Sequence, residues 1–487
     1  MLEEAAESRL ERVQCHEAEP TVVPLFDQAR PAPPRNRWIA ASHDESASAL
    51  FTEWQWALLA AAPLAVLSAA IFAPSETLQI GRWVLAALFL GAAAWRIFLS
   101  VASRLPPLAE ALPDDALPSY TIICPLFGEP AMVAPLLQAL EAIDYPRARL
   151  QVLLALERDD AETLAAVADC DLPFWIRAVQ TPPGSPKTKP RACNVALAVA
   201  TGDLLVVYDA EDRPHPGQLR EAAARFAASD DGLVCLQAPL RIAPRRSFLQ
   251  RHFAMEYAAQ FDVALHAFAR FGLPFPLGGT SNHFRVDALR EVGGWDPWNV
   301  TEDADLGFRI ADRGWRTATL RRPTFETSPE TRKVWLRQRT RWLKGYIQTL
   351  AVWTRRPPSW RSAAALALTL GLSVGSALLH GWFAVLMLGQ VAWACSTGRF
   401  ADAIWLDVGV LLAGWWAAGL LIRRGARRAG FEPAWFDYAA LFLYWPLLTW
   451  AGWRAAWQLL RNPFLWEKTP HTPPTEPVDW TAPTLAD

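Results

Sequence analysis

Residues 54–75 carry no ionisable side chain, and residues 83–103 carry one, Arg96. About 20 apolar residues cross a hydrocarbon core, so each run predicts a membrane-spanning helix, with Arg96 facing protein or snorkelling toward the interface. The pattern returns near the end. Residues 362–398 are free of formal charge and too long for one ordinary span, which predicts a hairpin broken at His380-Gly381. Residues 404–422 hold only Asp407, and residues 438–453 hold nothing charged, with Pro446 as the expected site of a break or re-entrant turn. Between these regions the period changes. Short β-branched or Leu-rich runs at 120–127, 150–157, 203–210 and 232–240 alternate with helix-like stretches at 131–142, 191–200 and 216–228. Such alternation predicts a mostly parallel sheet with helices on both faces.

Composition explains where charge is missing. The chain is 52% hydrophobic and 20% charged, against about 25% charged for an average soluble protein. Its 47 basic and 49 acidic residues nearly cancel, which argues against a nucleic-acid partner. Six Cys without a C-x-x-C pair fit neither a disulfide framework nor a zinc site. Arg30, Arg35 and Arg37 precede the first apolar run, Arg104 follows the second, and the loop between, around 74–80, has no Lys or Arg. The positive-inside rule therefore predicts a cytoplasmic N-terminus and a cytoplasmic middle region. The start lacks the layout of a cleaved signal peptide. Arg423, Arg424, Arg427 and Arg428 fit less easily: four C-terminal spans would put them outside, and three would strand the C-terminus there. The expected organisation is a cytoplasmic segment with a proline-rich linker (1–50), two spans (51–104), a soluble domain (118–357), three to four C-terminal spans (362–460) and a tail (461–487).

Ligands in parallel sheets bind beyond the carboxyl ends of the strands, and acids gather there. The first strand ends at Glu129, the second at Glu157 to Asp160, the third at Asp209-Ala210-Glu211-Asp212. Acids also begin ordinary helices and turns, but three such ends together predict a divalent cation bridging to a diphosphate. Further on, Thr301-Glu302-Asp303 reads as a helix start, either as plain capping or with Asp303 as a general base. Gln338, Arg341 and Trp342 share one helical face, where Arg341 suits a diphosphate and Trp342 a sugar ring. The alternative for that helix is an amphipathic element at a membrane surface.

Taken in order, these residues resemble the processive, membrane-embedded family 2 glycosyltransferases, the group of cellulose and hyaluronan synthases. Pro125 to Glu129 resembles its P-x-Y-N-E, Glu157 to Asp160 its Asp-rich strand end, Lys189 to Asn194 its K-A-G-x-x-N, and Asp209-Ala210-Glu211 its D-x-D. Thr301-Glu302-Asp303 matches T-E-D, and Gln338 to Trp342 matches Q-x-x-R-W. Phe127-Gly128 stands where Tyr-Asn is usual. The segments "GGWDPWNVTEDADLG" and "NPFLWEKTPH" resemble a bacterial subgroup that makes surface polysaccharide.

The resemblance implies an α/β GT-A fold, Rossmann-like and mostly parallel, flanked by transmembrane helices in a bacterial inner membrane with the catalytic domain cytoplasmic. It implies an inverting hexosyltransferase moving a sugar from a UDP-sugar to a growing glycan, with coupled export and an export or regulatory partner. Single-sugar transfer to a lipid carrier, or a transporter or scaffold with an inactive domain, are the alternatives. The implied catalytic residues are Asp303, Glu302 and Asp209. Glu129, Glu157, Lys189, Gln338 and Arg341 would bind nucleotide and diphosphate. Trp342, Gly279, Thr280 and Ser281 would hold the acceptor, with Asn282 and His283 as weaker candidates. Asp209, Glu211 and Asp212 would ligate Mg²⁺ or Mn²⁺. No D-x-S-x-x-G follows Arg423 and Arg427, so a cyclic di-GMP-binding PilZ domain is not expected.

Overall fold

The computed structural model describes residues 45–468 except 244, 357–358 and 399–401. The expected proline-rich linker with Arg30, Arg35 and Arg37, and the tail beyond 468, lie outside the described residues. Two apolar helices come first, α1 (Glu53–Phe72) and α2 (Pro74–Ala102), separated only by Ala73. Pro74 occupies the first helical position of α2, where its missing N–H costs nothing, so the expected loop at 74–80 is helical.

A sheet domain follows. β1 (Tyr120–Leu126) and β2 (Leu150–Glu157) are apolar along nearly their whole length and buried except at the half-buried Pro125 and Gln151, as strands covered on both faces are. With β3 (Ile176–Thr181) and β4 (Leu204–Val207) they pair in parallel in the order β3-β2-β1-β4, and Tyr120 lies opposite both Leu150 and Leu204. Helices α3 (Val133–Glu141), α4 (Ala161–Ala168) and α5 (Lys189–Val199) connect these strands. After the short β5 (Arg213–Pro214) and α6 (Gln218–Ala227) come β6 (Leu233–Gln237) and β7 (Leu240–Ile242). Next are α7 (Phe248–Ala259), a π-helical turn (Gln260–Ala264) and α8 (Leu265–Arg270).

The expected parallel order is interrupted by β8 (Asn282–Arg285), which lies antiparallel between β4 and β6. Its reversed direction decides where the preceding loop goes: residues 278–281 enter from the carboxyl end of β4, with Ser281 N–H donating to Val207 O at 2.8 Å. Helices α9 (Val286–Glu291) and α10 (Glu302–Asp312) lead to β9 (Arg316–Thr319), which closes a seven-stranded sheet beside β6. β10 (Thr324–Glu326) joins β5 and β7 in a separate three-stranded sheet.

The last third is helical: α11 (Arg332–Trp353), α12 (Trp360–Thr397), α13 (Asp402–Arg428), α14 (Trp435–Ala439) and α15 (Leu441–Arg461). Among the described residues four helices are long and apolar enough to cross a membrane: α1, α2, α12 and α13. The expected hairpin at His380-Gly381 is therefore replaced by one helix, which includes a π turn at Ala367–Gly371. Gly381 packs instead against Thr449 of α15 and donates its N–H to Thr449 Oγ1 at 3.0 Å. α15 continues through Pro446 without the expected break. It lies against α11 and α12, where Trp335 Nε1 donates to Tyr444 Oη at 3.1 Å and Trp453 Nε1 to Leu378 O.

These helices also place the arginine cluster. Two of the four long apolar helices, α12 and α13, follow the sheet domain, and the last turns of α13 carry Arg423, Arg424, Arg427 and Arg428. Arg428 donates to Ser103 Oγ at the end of α2 (2.7 Å) and to Asp262 O (2.8 Å), while Arg241 pairs with the Asp262 carboxylate at 2.7 Å and donates to Arg428 O. One hydrophobic core runs from Leu99 on α2 and Leu421 on α13 to Ile123 and Leu205 in the sheet.

The contact of α13 with α7 depends on Gly425, whose Cβ position is filled by the Ala258 carbonyl. Gly425→Ala should destabilise the protein by roughly 1–3 kcal/mol. Gly409→Ala, on the same helix with open space around it, should leave stability unchanged or raise it. Thermal unfolding of the two variants in detergent makes the comparison.

Candidate active site

The strand order places the ends of β2, β1 and β4 side by side, so their acidic turns meet. A cavity of about 280 Å³ opens there, bordered by Gly278, Gly279 and Thr280, the start of α10 and one face of α11. Seven carboxylates line it (Glu129, Glu157, Asp209, Glu211, Glu302, Asp303 and Glu326), against four cations (Lys187, Lys189, Arg341 and Lys468).

Lys189, at the start of α5, is the electrostatic centre. Its Nζ lies 2.6 Å from Asp209 Oδ1 and donates to the Gly279 carbonyl. Burial works against its charge, but Asp209, Asp303 and Glu302 together hold it above its ordinary value. Arg341 is pulled down by burial against the opposing pull of Glu302, Asp209 and Asp303. Its guanidinium sits 4.6 Å over the Trp466 ring, and its Nε and Gln338 Oε1 are buried without hydrogen-bond partners among the described residues. Burial and the neighbouring Asp303 push Glu302 up, while Lys189 and Arg341 oppose this. Burial raises Asp303 to about 6, although Lys189 pulls the other way.

Asp303 is also held mechanically. Trp295, 2% exposed, donates its indole N–H to Asp303 Oδ1 at 3.0 Å. The Trp295 backbone is in turn gripped at both polar atoms by Asn194, which donates to its carbonyl at 2.7 Å and accepts from its N–H at 3.0 Å. Gly294 has φ +65° and no room for a Cβ beside the Asn194 amide. Below α10, Asp305 pairs with Arg309 at 2.7 Å and accepts from Trp353 Nε1 at 3.0 Å, which joins this helix to α11. Thr301 occupies the N-cap position as expected, but its hydroxyl makes no cap bond.

Most expected residues meet in the cavity. Gln338, Arg341 and Trp342 all face it, one helical turn apart. Glu129 lies 3.5 Å from Lys468 Nζ, and Glu157 lies 3.7 Å from Arg191. Burial raises Glu157 while Arg191 and Lys187 oppose. Gly279 and Thr280 line the cavity, but Ser281 does not. Ser281 is fully buried at φ +58° and donates its hydroxyl to Thr324 Oγ1 at 2.6 Å. Asp209 and Glu211 line the cavity, whereas Asp212 lies behind it, fully buried. Its Oδ2 accepts from Asp209 N–H at 2.7 Å and from the Thr280 hydroxyl. Asn282 Nδ2 donates to Gly278 O at 2.6 Å. His283 is locked between Tyr120 Oη at 2.6 Å and Gln218 Oε1 at 3.1 Å, and burial lowers it to about 3.

The donor chemistry suits a hard divalent cation. Asp209, Glu211 and Glu326 all line the cavity and Asp212 Oδ1 is buried without a hydrogen-bond partner among the described residues, although among those residues no three acidic, His or Cys side chains converge as a ready-made metal cluster. Burial, followed by the charges of Asp212, Glu211 and Asp209, pushes Glu326 well up. Such crowding is what a bound cation relieves.

Three lining residues, Glu326, Trp466 and Lys468, and Trp295 behind Asp303, escaped the sequence reading. Glu326 arrives on a three-residue strand that no pattern announces, and Trp295 lies in "GGWDPW" with nothing to mark its indole as a donor. Trp466 and Lys468 come from the segment after α15, which folds back over the cleft. Glu467 fixes that segment through two bonds to Arg454, at 2.6 and 2.7 Å, and Lys344 Nζ donates to Leu465 O at 2.7 Å.

A family model described as "Glycosyl transferase family group 2" matches residues 204–460. Curated relatives include a probable glycosyltransferase YdaM of Bacillus subtilis, 25% identical over 53% of this chain and 62% of that protein. The β-monoglucosyldiacylglycerol synthase of Synechocystis sp. is 27% identical over 58% of this chain and 60% of its own length. The cellulose synthase 1 catalytic subunit (UDP-forming) of Komagataeibacter xylinus is 29% identical over 57% and 39%. The chain thus spans less than two thirds of the length of these relatives. Among solved structures, the mannosyltransferase PcManGT of Pyrobaculum calidifontis, in complex with GDP-Man and Mn²⁺, superposes with TM-score 0.51 at 20% identity, covering 78% of this chain and 97% of that one. This likeness supports the GT-A fold.

Asp303 is ionised at neutral pH at a cost to folding. Its folded value of about 6 exceeds the ordinary aspartate value of about 3.9. The native state therefore gains stability by binding a proton as pH falls, and loses that gain as pH rises through 6. Asp303→Asn should raise the thermal midpoint at pH 7.5, equivalent to roughly 2–3 kcal/mol, and the difference from wild type should shrink toward pH 5. Unfolding scans across that range test it.

Proposed function

Because the chain belongs to glycosyl transferase family group 2, we propose that it is an inverting glycosyltransferase. It takes a sugar from a UDP-sugar and gives it to an acceptor hydroxyl at a membrane face, extending a growing glycan. The observation that carries this reading is the arrangement of Lys189, Arg341 and Asp303 around one cleft whose far wall is acidic.

Glu129 and Glu157 lie at the β1 and β2 ends, where they would meet the nucleoside. Asp209 and Glu211, with Glu326 behind them, would hold Mg²⁺ or Mn²⁺, and Asp212 fixes the Asp209 main chain beneath them. When bound, that ion would offset diphosphate charge. Lys189 and Arg341 would bind the departing UDP and stabilise its growing negative charge, the largest contribution expected from a preorganised site. Asp303, oriented by Trp295, would accept the proton of the attacking hydroxyl at its carboxylate. One displacement at the anomeric carbon inverts its configuration, so an α-linked donor gives a β-linkage. Trp342 offers its ring to the acceptor sugar. The arginine cluster on the sheet-domain side supports a cytoplasmic active site in a bacterial inner membrane. An export partner would fit the glycan reading.

A second reading, transfer of one sugar to a lipid, is favoured by the second cavity that Trp342 also lines, whose walls are largely aliphatic and aromatic. A panel of UDP-sugars with Mg²⁺, scored for UDP release and product length together, separates the two. Long products support the glycan reading, a single-sugar lipid product supports the second, and no UDP release from any donor sinks both.

Asp303→Asn should retain UDP binding yet lower turnover by about 10²–10⁴-fold or more. Wild-type turnover should fall below pH about 6 as Asp303 takes up its proton. Trp295→Phe removes a hydrogen bond that favours the carboxylate, so the acidic limb of its pH–rate profile should move to higher pH. Chelation with EDTA should abolish UDP release, and added Mn²⁺ should restore it.

A further inference from the structure

A second cavity, about 370 Å³, lies beside the first among α2, α7, α11, α12, α13 and α15. Gln260, Trp342 and Tyr346 line both cavities. Phe89, Trp95, Phe383 and Leu421 typify its walls, and only a few polar groups interrupt them. Arg339 is neutralised by Glu256, which also accepts from Tyr444 Oη at 2.6 Å. Arg96 differs. Among the described residues no carboxylate, hydroxyl or carbonyl accepts a hydrogen bond from its partly buried guanidinium. Across the same cavity His380 packs edge-on to Phe89 and Trp445, and its Nδ1 is buried without a partner. The cavity therefore carries one uncompensated positive charge and one unused imidazole nitrogen within apolar walls.

An unpaired guanidinium among membrane-spanning helices is costly, and such a residue marks a site whose partner is an anion. Arg96 stands six residues before the end of α2 at Ala102, about 9 Å along the helix axis. We propose that this cavity binds the phosphate of a lipid. Arg96 forms a forked pair with two phosphate oxygens, His380 supplies a further hydrogen bond, and the hydrocarbon chain lies along Phe89, Phe383 and Leu421. Glycan hydroxyls carry no charge to balance Arg96, and a free aqueous anion gains nothing from the apolar walls; a lipid phosphate satisfies both. The inference rests on the second reading above, in which the acceptor is lipid-borne and Trp342 stands between its head and the donor cleft.

The test uses the full chain in detergent, incubated separately with dioleoyl phosphatidic acid, dioleoylglycerol and inorganic phosphate. Retained lipid is counted by native mass spectrometry, and UDP affinity is measured on the same samples. Wild type should retain phosphatidic acid at least tenfold better than dioleoylglycerol, and inorganic phosphate should not displace it. Arg96→Gln should lose that preference, Arg96→Lys should keep most of it, and neither should change UDP affinity. Equal retention of the two lipids, an unaltered preference in Arg96→Gln, or displacement by inorganic phosphate at equal concentration would each overturn the proposal. Selective lipid retention by a protein that releases UDP from no donor would defeat the glycosyltransferase reading while leaving the lipid site standing.

Discussion

Everything at the cleft depends on keeping an excess of buried carboxylates folded. Three adjacent parallel strands, β2, β1 and β4, are followed by acids, and Glu157, Glu129, Asp209 and Glu211 from their ends line one cleft. Seven carboxylates around four cations would repel any anionic ligand that arrived alone, so a diphosphate is welcome only with positive charge beside it. Lys189 supplies the permanent share by bridging Asp209 and the Gly279 carbonyl. A divalent ion would complete the balance. Burial, reinforced by neighbouring carboxylates, raises Glu302, Asp303 and Glu326 together, the direction that gives a carboxylate more proton affinity near neutrality.

The sheet domain is fastened to the apolar helices by two kinds of contact. Apolar packing is continuous from Leu99 to Leu205, and a buried polar knot of Arg241, Asp262, Arg428 and Ser103 fixes the joint. Such a knot is worth little as net stability but is expensive to rearrange. It therefore favours one orientation of the sheet relative to the helices, and with it the position of α11 between the two cavities.

Much of this was legible in the chain. The strands at 120–127 and 150–157 announced themselves because both faces are buried and the apolar run is unbroken, and Gln338, Arg341 and Trp342 followed from helical spacing. Other features were hidden for physical reasons. β8 is four residues of mixed polarity, and its direction is set by partners on either side. The continuity of α12 through Gly381 depends on Thr449, a contact that no local pattern encodes. Asp212 looks like a third metal ligand in the sequence, yet it is turned inward by Thr280 and the Asp209 main chain. The Trp295 indole and the returning Trp466 and Lys468 are tertiary facts altogether.

Gly345 ties two distant motifs to a common register. A side chain there would overlap the Thr301 hydroxyl, so α11 meets the start of α10 at a single angular setting. Each residue in an α-helix advances the face by about 100°. A one-residue insertion or deletion between 342 and 345 would thus swing Trp342 and Arg341 out of the cleft while Gly345 kept its seat against Thr301. Sequence change in this stretch can proceed by substitution, but hardly by change of length.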